Sequence, residues 1–408
     1  MNKYSLKKYF KDQKPPNLEE LIKNNKKFTD SYFPPNNNSI ASKTEDGKFV
    51  DEELGPEQLK DMEEENPGFL KRVQWKRVTE VHEKWELFEG KIEFNDVQQG
   101  DIGDCYFLTS ITALTQYPKL IEKIFITKMF NKEGYYEMKF FIDGEWQIVF
   151  VDDYFPFDPR TKKWAYARPN NYELWAMLLE KGWAKINGGY SNIIGGVVSE
   201  PIFSLTGFPT DYLLHSDYEE DELFQQIEGD SLNDGKIMSS ASKLNEKIEQ
   251  RGLVMGHAYT LIKAKAYKER KIYLLQLRNP WGEKEWCGSW SDNSKKWTDE
   301  YKKYFGHANK DDGIFWIDIE DYMANFDGTY ICYILYGALI KNYFFEYEKY
   351  FKYPIVFNLQ INEKSKCYFS ILFKNWRFNR DIHNVIHPVT FVLCKYNKDK
   401  KIEKLYSK

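Results

Sequence analysis

Gln98-Gln99-Gly100-Asp101-Ile102-Gly103-Asp104-Cys105-Tyr106-Phe107 is the stretch from which the rest of the chain is read. Two glycines lead into a cysteine. After it Leu108, Ile111 and Leu114, with Phe107 and Ala113 beside them, recur at helical spacing, and Pro118 closes the run. The pattern predicts a helix that begins at or near Cys105. A thiol placed there faces unpaired backbone amides and the positive end of the helix dipole, which favour the nucleophilic thiolate. Gln99, six residues earlier, lies on the incoming loop, from which its amide can reach an oxyanion. Taken alone, Cys105 also reads as a small buried residue of a core helix, the commoner fate of a free cysteine.

A nucleophilic thiol needs a base. Of six histidines, His257 lies in Gly256-His257-Ala258-Tyr259, within an apolar segment read as a strand over residues 252–263. Gly256 and Ala258 leave room for a close neighbour. A lone strand histidine is more often a satisfied core residue, but His257 follows Cys105 by 152 residues. That is near the ~130–150 residues that separate Cys from His and Asn in papain-like enzymes. Asn279 ends a second strand, residues 271–278, just before Pro280-Trp281-Gly282. An Asn there can accept the imidazole N–H, and Trp281 can cover that bond from water. A neutral orienter suffices for a thiolate–imidazolium pair. Asn-Pro alone reads as a turn; the joint order Cys, His, Asn carries the argument.

Composition agrees with a folded chain. The 408 residues are 42% hydrophobic and 29% charged, enough for two to four domains. With 58 basic and 62 acidic side chains the net charge is −4, which gives no electrostatic case for nucleic acid. The longest apolar stretch, near residues 330–340, is shorter than the ~20 residues of an integral membrane span. The first residues carry no apolar signal core, and the five cysteines are dispersed, so reduced thiols and a cytoplasmic protein are expected. Cys287, Cys332, Cys367 and Cys394 are read as structural or packing residues. The expected organisation is a polar arm (1–26), a largely helical lobe (27–207), a β-rich lobe (208–340) and a β-rich tail (341–408). Within the first lobe, residues 135–154 predict a hairpin turning at Asp143-Gly144, and residues 172–186 a helix capped by Asn187-Gly188-Gly189. The fold class is α+β, two lobes with a cleft between them.

These motifs, in this order, resemble the calpain family of cysteine proteases. Gln99 to Cys105 resembles its nucleophile motif, Gly256-His257-Ala258-Tyr259 its histidine strand, and Arg278-Asn279-Pro280-Trp281-Gly282-Glu283 its asparagine motif. The segments 144–153, 173–188, 28–35 and 75–77 are also similar, so the resemblance covers about residues 27–336. It implies a two-lobed papain-like protease core followed by a short β-rich extension. Cys105 is then the nucleophile, His257 the base and later acid, Asn279 the orienter and Gln99 the oxyanion donor, acting on protein substrates. Tyr106 stands where the family usually has Trp. The resemblance also implies Ca²⁺ ligands at Asp96 and Glu173 in the first lobe, and at Glu285, Asp292 and Asp312 in the second. Ile314 occupies a position where the family often has Glu. No EF-hand loop occurs, and no partner subunit is identified. Two other readings remain: a catalytically inactive scaffold of the same fold, and a transglutaminase-type acyltransferase, which orients its His with Asp rather than Asn.

Overall fold

The helix read from the Cys105 stretch spans Cys105–Leu114, and Tyr106 through Leu114 are all buried. It is enclosed on every side, and its buried Thr109 and Ser110 hydroxyls donate to the carbonyls of Ala258 and Val198 in other elements. A computed structural model describes residues 13–41, 60, 63–64, 66–230, 235–337 and 368–369, with the backbone of strands Val392–Tyr396 and Ile402–Ser407. Pro118 does more than close the first helix. It is the first residue of a second, Pro118–Ile124, where its missing N–H costs nothing.

The predicted hairpin pairs Tyr135–Ile142 with Glu145–Asp152. Asp143 and Gly144 both take positive φ (49° and 79°), the two left-handed residues of a tight hairpin turn. The helix Trp175–Ile186 starts three residues later than its apolar spacing implies. Glu173 pairs with Glu86 in an isolated bridge, and the Leu174 N–H is taken by the Glu86 carbonyl, so that backbone is committed elsewhere. All twelve residues of this helix are buried, including Glu180, Lys181 and Lys185. Lys181 pairs with Asp152, and Lys185 Nζ donates to Asp30 Oδ2 at 2.7 Å. Asp30 N donates in turn to Asp152 Oδ2 at 2.7 Å. Segment 28–35 is thus pinned by buried charge as well as by the Phe28 ring on Tyr135 and Phe150. The first half is less purely helical than expected, for it also holds the three-stranded sheet Gln74–Arg77, Tyr154–Asp158, Lys163–Trp164.

The second half is organised by a seven-stranded antiparallel sheet. Along it run Ile314–Asp318, Ile272–Arg278, Ala258–Tyr267, Lys236–Ser242, Phe326–Tyr333 and Thr210–Leu214, and the short Gly229–Asp230 pairs with Ala258–Tyr267. The strand expected from residue 252 begins only at Ala258. Gly252 (φ 82°) caps a 3-10 turn, Glu246–Arg251, and Gly256 (φ 59°) turns the chain again, so His257 sits just before the strand, not inside it. The register slips between Gln276 and Leu277, a bulge that bends the strand close to Asn279.

One buried cluster fills the first half and takes in Ile237, Ala258, Cys332 and Ile334 from the second; another lies within the sheet around Tyr259, Leu277 and Phe315. The tail contributes one antiparallel pair, and apart from residues 368–369 the rest of that expected extension lies outside the described residues. Among the described residues no helix is long and apolar enough to cross a membrane.

Candidate active site

The nucleophile helix docks on the strand after His257 by two reciprocal bonds. Thr109 Oγ1 donates to the Ala258 carbonyl at 3.1 Å, and Thr260 Oγ1 donates to the Thr109 carbonyl at 3.3 Å. This lays the first turn of the helix along the strand's start. The Cys105 sulfur, half-buried, lies against the Ala258 backbone amide, next to His257. Gly100 permits the loop before it: a Cβ there would stand 2.0 Å from the Tyr166 carbonyl oxygen.

His257, Asn279, Trp281 and Gln99 form one hydrogen-bonded chain. His257 Nε2 is 2.9 Å from Asn279 Oδ1. Asn279 Nδ2 donates to the carbonyls of Glu283 (2.7 Å) and Lys284 (3.1 Å), so its oxygen is the acceptor and His257 carries its proton on Nε2. Nδ1 is then the imidazole's basic nitrogen. Asn279 Oδ1 also accepts the Trp281 N–H at 3.1 Å, and the Trp281 ring lies over His257 with centroids 4.7 Å apart. Trp281 Nε1 donates to Gln99 Oε1 at 2.7 Å. Gln99 Nε2 donates to the Ile102 carbonyl at 2.7 Å, which leaves its second N–H for another acceptor.

Burial dominates the electrostatics. It pushes the Cys105 thiol up to about 11, with a smaller contribution from the Asp104 charge, and it pulls His257 down to about 4. Burial thus favours the neutral form of both groups. Arg278 lines a cavity of about 250 Å³ between Gln98, Asn170, Trp281 and Asp312. It is buried against the Phe94 ring, and burial holds its guanidinium down at about 10.

The acidic residues form two groups. Asp96 and Glu173 are in contact, and burial, then Asp96, drives Glu173 up to about 8. Glu173 Oε2 accepts from Glu89 N and Trp175 Nε1, while its buried Oε1 has no hydrogen-bond partner. In the second half Glu285 Oε1 accepts from the amides of Asp312 and Gly313, Asp312 Oδ1 from Ile314, and Asp292 Oδ2 from Lys310. Among the described residues no three His, Cys, Asp or Glu side chains converge as a metal-holding group. The orphaned Glu173 oxygen beside a second carboxylate fits an oxygen-seeking cation; in the second group Asp292 Oδ1 is likewise buried without a hydrogen-bond partner, while Glu285 Oε1 and Asp312 Oδ1 are engaged by backbone amides.

Of the remaining cysteines, Cys332 is buried near Thr206 Oγ1, as packing requires. Cys287, expected to be structural, is exposed; the loop 283–290 carries it at the surface. The side chains of Cys367 and Cys394 lie outside the described residues. Thr109, Thr260 and Arg278 were not foreseen. Nothing in their local spacing marks the threonines, whereas an arginine ending an apolar strand beside Asn279 was a readable signal.

The family pattern described as calpain family cysteine protease matches residues 28–333. The rice (Oryza sativa subsp. japonica) calpain-type cysteine protease ADL1 is 33% identical over 334 residues, 76% of this chain and 14% of that protein. The Arabidopsis thaliana calpain-type cysteine protease DEK1 is 34% identical over 327 residues, 75% of this chain and 14% of that protein. The rat (Rattus norvegicus) calpain-1 catalytic subunit is 31% identical over 330 residues, 78% of this chain and 43% of that protein. The chain thus spans less than half the length of these relatives.

Proposed function

This chain belongs to the calpain family of cysteine proteases, and from that premise we propose that it is an endopeptidase working through Cys105, His257 and Asn279, with Gln99 as oxyanion donor. The hydrogen-bonded chain from His257 through Asn279 and Trp281 to Gln99, with the Cys105 sulfur beside Ala258, carries the reading. His257 Nδ1 takes the proton from Cys105 Sγ, and the thiolate attacks the carbonyl carbon of the scissile amide. The oxyanion is received by the second N–H of Gln99 Nε2. His257 returns its proton to the amide nitrogen as the C–N bond breaks, leaving a thioester on Cys105 and releasing the amine product. His257 then deprotonates a water, which adds to the thioester; the C–S bond breaks, the acid product leaves, and the proton returns to sulfur. Asn279 holds the imidazole in the tautomer that makes Nδ1 the base throughout.

Burial opposes both charges of the thiolate–imidazolium pair, so a more polar cleft would favour proton transfer from Cys105 to His257. The reading also includes Ca²⁺, which would be held by Asp96 and Glu173 in one half and by Glu285, Asp292 and Asp312 in the other. When bound it supplies positive charge that relieves the repulsion between these carboxylates. Unfolded or extended proteins in the cytoplasm are the substrates this reading implies, and the division into lobes 27–207 and 208–340, with an arm before and a tail after, belongs to the same proposal.

The test mixes purified protein with an unfolded protein substrate while free Ca²⁺ is titrated, with Cys105→Ser as control. Cleavage that rises with Ca²⁺ and vanishes in the variant supports both parts. Cleavage surviving in Cys105→Ser removes the nucleophile, and cleavage indifferent to a strong chelator removes the cation.

A further inference from the structure

Directly before Cys105 lies a buried acid that the mechanism above does not use. Asp104 is fully buried, and no backbone N–H, hydroxyl or cationic side chain is hydrogen-bonded to either of its carboxyl oxygens. The group within hydrogen-bonding reach is the carboxyl of Glu180, itself buried, from the helix Trp175–Ile186. Two carboxyls make such a contact only with a proton between them. Glu180 Oε1 already accepts the Ala167 N–H at 2.9 Å, which leaves Oε2 as the oxygen free to carry the shared proton. The backbone of Asp104 is engaged too: its carbonyl accepts from Phe107 N (2.8 Å) and Leu108 N (3.2 Å), the bonds that open the nucleophile helix.

We propose that Asp104 and Glu180 are a proton-sharing carboxyl pair that positions the Cys105 turn and sets the negative charge beside its sulfur. The proposal rests on the reading of Cys105 as nucleophile. Glu180, neutral, donates to Asp104 and anchors that residue's side chain while the helix anchors its backbone. Burial raises Asp104 to about 7, and its ionisation opposes the Cys105 thiolate. The other groups facing the pair are the buried, unpartnered hydroxyls of Tyr166 and Tyr190, with Asp152 and the Arg168–Asp101 ion pair farther out. None of these supplies a cation directly to Asp104, which leaves its charge to act on the sulfur. Asp104 and Glu180 are positioning residues; they touch no reacting atom.

The experiment follows the rate of Cys105 alkylation by iodoacetamide against pH, read by peptide mass spectrometry, in the full chain. Wild type should show a slope of log rate below one around pH 7, where Asp104 ionises against the thiolate. Asp104→Asn should restore unit slope and react about fivefold faster at pH 8. An infrared band of a protonated carboxylic acid should be present in wild type and weakened in Glu180→Gln. Glu180→Gln keeps a donor toward Asp104 and should cleave substrate at least tenfold faster in kcat than Glu180→Leu, with KM little changed. Superimposable alkylation profiles in wild type and Asp104→Asn, or no difference in the infrared band between wild type and Glu180→Gln, would overturn the pair. Both readouts are independent of catalysis. They hold if Glu180→Leu fails to fold, and cleavage persisting in Cys105→Ala would strike the nucleophile assignment alone.

Discussion

Acidification should destabilise the β-rich half through a buried histidine that takes no part in the mechanism. His215 is buried between strands, with Nδ1 donating to the Phe326 carbonyl at 2.8 Å and Nε2 accepting from Thr329 Oγ1 at 2.9 Å. Protonation would turn Nε2 into a donor, force the Thr329 hydroxyl to switch from donor to acceptor, and place a charge in a buried site. Burial holds the ring at about 4, and the nearby Lys243 charge pushes the same way. Its native value lies below the ~6.5 of the unfolded chain, so between those values the unfolded state binds a proton that the native state refuses. Stability is full above about pH 6.5 and falls as pH drops toward 4. At pH 5 the unfolded state gains roughly thirtyfold in relative weight from this group, about 2 kcal/mol, against almost nothing at pH 7.5. His257, pulled down to about 4 by the same cause, adds a similar amount. The assay is urea unfolding of wild type and His215→Asn at pH 7.5, 6 and 5. The variant pays a fixed packing cost but loses the pH-linked term, so the gap between the two proteins should shrink by about 2 kcal/mol on going to pH 5. A gap constant to within about 0.5 kcal/mol would refute the assignment of a neutral native His215.

Three further outcomes are expected. Thr109→Val removes one of the two bonds docking the nucleophile helix and leaves the Ala258 carbonyl without that donor; it should cost about 1–3 kcal/mol in thermal unfolding and lower peptidase activity as well. Lys181→Met leaves Asp152 short of its buried cation and should cost about 3–5 kcal/mol, whereas Arg251→Ala, which breaks a largely exposed pair with Asp321, should fall within about 1 kcal/mol of wild type in the same urea series. Asn279→Ala frees the His257 ring and strips the acceptor of the Trp281 amide; kcat should drop by about 10²-fold or more while KM changes little, and equal losses in both would point to misfolding instead.

The parts of the fold that rest on local rules were legible in the chain. The helix start at Cys105, the Asp143-Gly144 hairpin and the α+β division follow from periodicity and turn chemistry, which act over a few residues. What escaped depends on partners far away in sequence. Lys181 and Lys185 read as helical positions, yet both are fully buried because Asp152 and Asp30 arrive from other elements. The strand containing Ala258 begins later than the apolar count implies, because the left-handed turns at Gly252 and Gly256 leave no trace in such a count. Around the cleft, residue types in order were enough to nominate Cys105, His257, Asn279 and Gln99. The Trp281–Gln99 bond and the Thr109–Thr260 clasp that hold elements of the cleft together are tertiary, and no spacing rule reaches them.

The central claim is that Cys105 forms a covalent acyl intermediate. A slowly deacylating ester substrate, quenched in acid during turnover, should add the mass of one acyl group per chain, and peptide mapping should place it on Cys105. The adduct should be absent from Cys105→Ser and should disappear on prolonged incubation as the thioester hydrolyses. Turnover of the same substrate with no adduct on Cys105, or with an acyl group on another residue, would contradict the account.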